Sequence, residues 1–363
     1  MKIYKNTNLG SLELKNHFVM APMTRSRTTQ PGDIPNDMMA EYYAQRASSA
    51  GLIITEATQI SNQGKGYSFT PGIHTARHIE GWKKITKSVH DQGGKIFLQL
   101  WHVGRMSHPS LHEDGQTVGP SALAPGARVW IVNESGTGEM LECPTPRALD
   151  HSEIKDVIND FRIGAKNAIE AGFDGVEIHG ANGYLIDQFL RRTSNHRTDE
   201  YGGDIANRIR LAVEIAKAVT EEIGAEKTGI RLAPFIKQRG MDDEESVDAI
   251  LELAKELNKL NLVYIHLAEA DWDDAPQVDI QFRHDLRSVY DGKVIVAGNY
   301  SVEKGEALIN ENLVDLVAFG RPFIANPDFP ERYKNDWAMA DFDPDTLFGG
   351  DENGYTTYSK YSE

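Results

Sequence analysis

Short, continuous runs of apolar and β-branched residues recur along the chain, separated by stretches with helical periodicity. Eight of these runs are five to eight residues long, and most of them are apolar throughout rather than alternating with polar residues. Continuous apolar runs of this length are typical of parallel strands buried on both faces. We therefore predict strands at 18–22, 52–59, 95–102, 175–180, 228–234, 263–270, 294–299 and 316–321.

Most intervals between these runs carry apolar residues at helical spacing, as Ile79, Trp82, Ile85 and Val89 do. Strands that alternate with helices indicate parallel β-α units, and eight such units predict an α/β fold closed into a (β/α)8 TIM barrel. An open doubly wound sheet is the competing architecture, but no G-x-G-x-x-G follows the first strand to favour it. The predicted helices span 78–92, 152–171, 204–223 and 245–260.

Two segments stand outside the regular alternation. Residues 9–18 read as a short hairpin that forms a floor for the barrel. Residues 103–150 are rich in Gly, Pro and Ser and contain a second hairpin, with strands at 129–132 and 140–142. A loop this long in a compact domain is usually a lid or a subdomain. No linker divides the chain, so we expect a single domain over 1–363 with a lid insertion at about 103–150.

The charge and cysteine content narrow the class of protein. Lys and Arg total 38 against 54 Asp and Glu, a formal charge of −16, which argues against nucleic-acid and anionic-membrane partners. Cys143 is the only cysteine, so an internal disulfide framework and a thiolate metal cluster are both excluded. Neither a signal peptide nor a membrane-spanning run is apparent. We expect a cytoplasmic protein that is a monomer or a weak homodimer.

Active sites of such barrels lie at the C-terminal ends of the strands. Nearly every predicted strand here ends in hydrogen-bonding groups. After the seventh and eighth strands, where barrels often bind phosphate, these are Gly298-Asn299 and Gly320-Arg321. Glycine allows close approach of backbone N–H groups and arginine can bind phosphate bidentately, so we predict a phosphate site. A phosphorylated cofactor and a phosphorylated substrate fit it equally well.

Arg231 lies in a run that otherwise reads as a buried strand, and arginine is rarely buried without a partner. A structural carboxylate would satisfy it. The alternative is the pyrimidine end of a reduced flavin, where negative charge accumulates near N1 and O2. Gln99 and Thr24 could then complete that edge, which presents acceptors and an N–H donor.

Taken together, these motifs resemble the Old Yellow Enzyme family of FMN-dependent ene-reductases over essentially the whole chain. The resemblance is closest to the bacterial branch that includes N-ethylmaleimide reductase and pentaerythritol tetranitrate reductase. The stretches that carry it, in order, are Met39-Ala-Glu-Tyr-Tyr-Ala-Gln-Arg-Ala, Leu98-Gln-Leu-Trp-His, Asp187-Gln-Phe-Leu, Ser194-Asn-His-Arg-Thr-Asp and Ala318-Phe-Gly-Arg-Pro-Phe-Ile-Ala-Asn-Pro-Asp.

The resemblance implies tight, non-covalent FMN. Its phosphate would lie at Gly298, Asn299, Gly320 and Arg321. The isoalloxazine ring would lie among a second set of residues, namely Pro22, Met23, Thr24, Ala57, Gln99 and Arg231.

The resemblance also assigns a catalytic trio. His179 and Asn182 follow the fourth strand with the spacing H-x-x-N, and both would donate to one carbonyl or nitro oxygen of the substrate. Many close relatives have histidine where this chain has Asn182, so less dependence on a titrating imidazole is expected there. Tyr184 would be the proton donor, because a phenol stays protonated at neutral pH.

Further expectations concern the substrate cleft. The aromatic residues Tyr67, Trp101, Trp272 and Tyr355 would line it. The loop after Arg231, 234–241, departs from the pattern of the nearest relatives, which leaves the substrate fit there open. His74 and His78 are spaced i, i+4 without a third metal ligand, so we expect solvated helix histidines and no metal site. The acidic cluster of Asp271, Asp273 and Asp274 is expected to be a polar loop.

The implied reaction is ping-pong reduction: NAD(P)H reduces FMN, and hydride then passes from N5 to the β-carbon of an electron-poor acceptor. The small-molecule partners would be α,β-unsaturated carbonyls, maleimides, nitroalkenes or nitrate esters. A flavin-dependent NAD(P)H oxidase and a non-catalytic flavin-binding protein are the alternatives. An aldolase-type barrel would need a lysine or a metal at a strand end, and no obvious lysine is there.

Overall fold

The computed structural model of the protein describes residues 1–133, 135–270 and 276–362. In this part of the chain, eight parallel strands hydrogen-bond in the closed order β3, β4, β6, β11, β12, β13, β14, β15 and back to β3. The predicted TIM barrel is confirmed. The strands are β1 (Thr7–Leu9), β2 (Leu12–Leu14), β3 (Phe18–Met20), β4 (Leu52–Ile54), β5 (Thr58–Gln59), β6 (Ile96–Trp101), β7 (Val118–Gly119), β8 (Arg128–Val132), β9 (Gly138–Glu142), β10 (Arg147–Ala148), β11 (Gly175–Gly180), β12 (Thr228–Leu232), β13 (Tyr264–Ala268), β14 (Lys293–Ala297) and β15 (Leu316–Phe319).

Helices cover the outside of the barrel. They are α1 (Asp37–Ala47), α2 (Ala76–Asp91), α3 (His151–Glu170), α4 (Leu185–Leu190), α5 (Ile205–Arg208), α6 (Arg210–Ile223), α7 (Ser246–Lys259), α8 (Ile280–Val289), α9 (Val302–Asn310), α10 (Arg321–Ala325) and α11 (Phe329–Lys334). Single turns of 3-10 helix occur at Lys2–Tyr4, Pro109–Leu111, Ala225–Lys227 and Pro344–Thr346. None of the helices that the structure describes is long and apolar enough to cross a membrane.

Large side chains fill the barrel interior below the site and leave no room for a side chain at the paired position of the adjacent strand. A Cβ on Gly175 would lie 2.4 Å from Cζ of Phe97, and one on Gly229 would lie 2.2 Å from Cζ of Tyr264. Both rings are fully buried, with their centroids 5.9 Å apart. The lower barrel interior is therefore a packed core, and the larger cavity opens at the C-terminal ends of the strands.

The ends of two helices show how the local sequence fixes these elements. Asp150 precedes α3, and its carboxylate accepts the N–H of Glu153 while the Glu153 side chain accepts the N–H of Asp150, a reciprocal capping box. The predicted helix 204–223 is wrong in one detail, because a break at Ile209 divides it into α5 and α6. The N–H of Ile209 bonds to the carbonyls of both Ile205 and Asn207 there.

Both predicted hairpins exist, with one shift of bounds. The first pairs β1 with β2, so it starts earlier than the predicted 9–18. Its turn is at Gly10, whose φ of 56° lies in the left-handed region. The second pairs β8 with β9 inside the segment 103–150. A short parallel pair, β7 with β10, ties the two ends of that segment together.

The expectation that His74 and His78 are solvated is wrong for His78, which is only 2% exposed. Its Nδ1 accepts the N–H of Thr75 at the start of α2, and its Nε2 bonds to the carbonyl of Gly32 at 2.8 Å. Burial lowers the pKa of His78 to about 4, so the ring is neutral and caps the helix.

Candidate active site

A cavity of about 720 Å³ opens at the C-terminal ends of the barrel strands, within the size range of small-molecule and cofactor sites. Its walls come from the ends of β3 and of β11 to β15 and from the hairpin β8–β9. The predicted site residues that line it are Pro22, Met23, Thr24, Tyr67, Asn182, Tyr184, Arg231, Gly298, Asn299, Gly320 and Arg321. Residues from both the predicted cofactor set and the predicted catalytic trio thus face one space.

Four other predicted site residues, Ala57, Gln99, Trp101 and His179, lie immediately behind these walls, between 1% and 5% exposed. Trp101 is the centre of an aromatic group: its ring stacks on Tyr67 with 5.6 Å between centroids and meets Tyr184 edge-on at 5.0 Å. Trp101 therefore supports the rings that line the cavity, rather than lining it.

His179 presents one defined nitrogen as a donor. Burial, together with the positive charge of Arg231, lowers the pKa of His179 well below its usual value, so the ring is neutral. Nδ1 accepts the backbone N–H of Ala181 at 3.3 Å, which leaves the hydrogen on Nε2. The ring packs edge-on against Tyr184 with 5.0 Å between centroids.

Asn182 occupies a left-handed turn between His179 and Tyr184, with φ 59°. Asparagine tolerates this conformation better than most residues. Its Oδ1 is buried without a hydrogen-bond partner among the described residues, and its side chain lines the cavity. The Asn182 side chain is therefore available to a bound ligand, because buried polar groups are normally hydrogen-bonded.

The phenol of Tyr184 lies next to a second phenol. Its hydroxyl oxygen is 3.3 Å from that of Tyr67. Burial raises the pKa of Tyr67 well above its usual value, and the neighbouring Tyr184 raises it further, so Tyr67 stays protonated. Two hydroxyls therefore face the cavity, and either can donate to the other.

At the opposite end of the predicted cofactor set, the turn after β14 is shaped by glycine. Gly298 has φ 154°, which side-chain-bearing residues rarely adopt, and a Cβ there would lie 3.0 Å from Cβ of Glu269. Arg283 donates to both carboxylate oxygens of Glu269 at 2.8 and 2.9 Å, and Tyr300 donates to the same carboxylate. This buried pair fixes the turn and places the ring of Tyr300 in the cavity wall.

These residues fit FMN by the chemistry of their donors. Arg231 places a cation in the wall where the pyrimidine edge is predicted, and Arg321, Gly298 and Gly320 form the predicted phosphate end of the same cavity. Between the two ends the wall includes apolar side chains that suit a planar ring, among them Ala21, Ala297 and Ala318. An elongated aromatic molecule that carries negative charge at its two ends is complementary to this lining.

Of the predicted aromatic lining residues that the structure describes, Tyr67 lines the cavity, whereas Trp101 and Tyr355 do not. Tyr355 is fully buried and stacks on Tyr42 with 4.0 Å between centroids. The guanidinium of Arg25, directly after Thr24, draws the C-terminal segment inward by donating to the carbonyl of Gly354 at 2.8 Å. Trp272 lies outside the described residues, as do Asp271, Asp273 and Asp274.

Several lining residues were missed by the sequence reasoning. Arg239 is the nearest to the trio: its Nη1 donates to the carbonyl of Asn182 at 2.6 Å, and its guanidinium lies 5.7 Å from the ring centroid of Tyr184. The unusual loop 234–241 was the available signal. Other missed residues come from the lid hairpin and the C-terminal segment, namely Arg128, Trp130, Met140, Leu347 and Phe348, and the turns after the strands add more, such as Ser26, Tyr300 and Ile324.

Comparison with known proteins agrees with this geometry. The chain is 42% identical to 12-oxophytodienoate reductase 1 of Oryza sativa subsp. japonica over 360 residues, covering 96% of this chain and 90% of that protein. Among solved structures, morphinone reductase matches with a TM-score of 0.95 and 46% identity, covering 99% of this chain and 96% of that one. The Old Yellow Enzyme homologue of Zymomonas mobilis matches with a TM-score of 0.93 and 38% identity, covering 99% and 100%.

A family model described as NADH:flavin oxidoreductase / NADH oxidase matches residues 2–339, nearly the whole chain. The fold, the lining of the cavity and this match lead to the same assignment: the chain belongs to the NADH:flavin oxidoreductase / NADH oxidase family, the Old Yellow Enzyme family of FMN-dependent oxidoreductases that use a nicotinamide reductant.

Proposed function

We propose that the protein reduces activated carbon–carbon double bonds in small electron-poor molecules, with NAD(P)H as the reductant. The observation that carries the proposal is the grouping of a neutral His179, the Asn182 side chain and the Tyr184 phenol around a cavity that most of the predicted FMN contacts line. Relatives named for the reduction of morphinone and of 12-oxophytodienoate support reductase chemistry.

His179 and Asn182 would bind and polarise the substrate. A neutral imidazole with its hydrogen on Nε2 and the N–H of an amide are both donors to an oxygen that gains negative charge during the reaction. Donors fixed in a buried wall stabilise this charge without reorganising, and one such donor can contribute about 10²–10³ in rate. A carbonyl or nitro oxygen conjugated to the double bond is the matching substrate group.

Tyr184 would complete the addition across the double bond. The Oη–H bond breaks as the α-carbon gains that proton, and solvent later restores the hydroxyl hydrogen. FMN, when bound, supplies the hydride for the β-carbon after taking it from NAD(P)H. Tyr67, 3.3 Å from the Tyr184 hydroxyl, can donate a hydrogen bond to the oxygen that loses its proton.

Purified holoprotein tests this directly. Under anaerobic conditions we expect yellow protein to bleach with NADPH or NADH and to recolour when 2-cyclohexenone, N-ethylmaleimide or a nitroalkene is added. Product analysis should then show a saturated carbon–carbon bond. Protein that cannot take up FMN would contradict the cofactor assignment. Protein that bleaches, is not reoxidised by any acceptor of the panel and recolours only when air is admitted would instead indicate an NAD(P)H oxidase.

A further inference from the structure

A fully buried carboxylate lies in the barrel next to the predicted flavin contacts, and the proposed reaction does not use it. Glu177 is in β11, two residues before His179, and is 0% exposed. One of its oxygens accepts from Nε2 of Gln99 at 2.7 Å. The other accepts from Nδ1 of His266 at 2.8 Å. Both partners are buried and come from strands on opposite sides of β11 in the barrel order.

The carboxylate is ionised in spite of its burial. Burial alone would raise the pKa of Glu177, but the contact with His266, the positive charge of Arg231 and the Gln99 hydrogen bond hold that pKa below its usual value. Burial lowers the pKa of His266, so a neutral ring donates from Nδ1. A buried negative charge is costly, and an apolar side chain would fill a barrel interior at lower cost. A role beyond packing is therefore indicated.

The charge on Glu177 decides which way the Gln99 amide points. An ionised carboxylate can only accept, so the group that faces it must be the amide NH2. The carbonyl oxygen of Gln99 is then directed away from Glu177. That orientation gives the predicted flavin edge an acceptor, which is what a ring N–H requires.

The same carboxylate also counters Arg231. Arg231 lies in β12, next to β11, and pairs in register with His179, which is two residues beyond Glu177 and on the same face of the strand. Its positive charge lowers the pKa of Glu177. Both partners that the sequence allowed for Arg231, a structural carboxylate and an anionic flavin edge, can therefore act together. Glu177 would reduce the net positive potential that the flavin edge meets.

We propose that Glu177, supported by His266, is a positioning residue for FMN: it orients Gln99 to accept from the flavin and limits the attraction of Arg231 for the reduced, anionic form. The inference rests on the proposed flavin contacts of Gln99 and Arg231. It assigns two separable effects to one side chain. The first is hydrogen-bonded orientation, which governs FMN affinity. The second is charge, which governs the reduction potential.

Two substitutions separate these effects in the holoprotein. Glu177→Gln removes the charge and keeps an oxygen for Gln99, so the reduction potential should become more positive while the Kd of oxidised FMN changes little. We expect reduced FMN to gain about tenfold in affinity relative to oxidised FMN, which corresponds to about 30 mV for a two-electron couple. Glu177→Asp keeps the charge but is too short to hold both partners. It should weaken FMN binding about tenfold with little change in potential.

A matched control is available at another buried ion pair. Asp328 pairs with Arg332 at 2.7 Å, both are less than 10% exposed, and Asp328 does not line the cavity. Asp328→Asn should lower the thermal unfolding temperature without moving the potential. In a Gln99→Ala background, Glu177→Asp should no longer weaken FMN binding, because its effect acts through Gln99.

Equal potentials for Glu177→Gln and Asp328→Asn would overturn the charge effect, and wild-type FMN affinity in Glu177→Asp would overturn the orientation effect. Should Glu177→Gln fail to fold, the Glu177→Asp affinity and its loss of effect with Gln99→Ala still test the proposal. A wild-type chain that binds no FMN at all would instead contradict the proposed function, so the two failures are distinguishable.

Discussion

The two halves of the cavity are built in different ways. The cofactor half comes from strand ends and the tight turns that follow them, such as Gly298 after β14 and Gly320 after β15. The substrate half takes most of its additional lining from segments added to the barrel: the lid hairpin β8–β9, the loop 234–241 and residues 347–348. Strand ends are positioned by the closed sheet itself, whereas the added segments depend on their own contacts.

This difference has a physical consequence for the chemistry. In the cofactor half, buried ion pairs such as Arg283 with Glu269 fix the backbone, so binding geometry is set before any ligand arrives. In the substrate half, Met140 is 54% exposed and Phe348 is 45% exposed, so the mouth offers apolar surface with few restraints. The cofactor and the type of reaction can thus stay constant while the acceptor molecule varies.

The largest effect is expected in the substrate half of the cavity, at the Tyr184 phenol. Tyr184→Phe removes the proposed proton donor but leaves the ring against Trp101. Reduction of 2-cyclohexenone by reduced enzyme should slow by about 10²–10⁴, the usual contribution of a positioned general acid. Flavin reduction by NAD(P)H should be nearly unchanged. Stopped-flow measurement of each half-reaction checks this, and equal losses in both would remove Tyr184 from the acid role.

The next effect belongs to the cofactor half. Arg321→Ala removes the cation from the predicted phosphate end of the cavity. A hydrogen bond to a charged group contributes about 1.5–3 kcal/mol, so FMN should bind roughly ten- to a hundredfold more weakly. With FMN saturating, both half-reactions should run near their wild-type rates. Fluorescence titration of apoprotein measures the Kd. An unchanged Kd would mean that the phosphate lies elsewhere.

A smaller effect is expected at the contact between an added loop and the catalytic trio. Arg239→Gln removes the guanidinium that donates to the Asn182 carbonyl at 2.6 Å and lies over the Tyr184 ring. We expect about a tenfold loss in the rate of enone reduction, consistent with one charged hydrogen bond that acts indirectly. FMN affinity should be unchanged. Lys237, exposed in the same loop, provides the control substitution Lys237→Gln.

The residues that could be located from the sequence and those that were missed follow the same division between the two halves of the cavity. Residues 298, 299, 320 and 321 could be located at the cavity from the sequence, because apolar runs and glycines mark the ends of the barrel strands; their contact with phosphate stays a prediction. Arg239 was not found, since its place depends on a loop that turns through a left-handed residue with φ 61°. Tyr355 was expected in the cleft, but the hydrogen bonds of Arg25 to the C-terminal segment bury it, and no local pattern predicts such a distant contact.

The smallest effect is expected where the lid insertion 103–150 begins. His102, where the lid insertion leaves β6, is 1% exposed, and its Nδ1 accepts the N–H of Gly104 at 3.1 Å. Burial lowers the pKa of His102 to about 3. The unfolded chain, with an ordinary histidine pKa near 6.5, binds a proton first as the pH falls, so stability is full above that value and declines below it. Between pH 7 and pH 6 the loss of folding stability due to this group should be about 0.7 kcal/mol.

Urea unfolding at both pH values should show a shallower decline in stability for His102→Gln than for the wild type, with the exposed His196→Gln as control. Identical declines in all three proteins would mean that unfolding does not expose a buried, neutral His102 ring to protonation. The lid segment would then be less firmly joined to the barrel than its hydrogen bonds suggest.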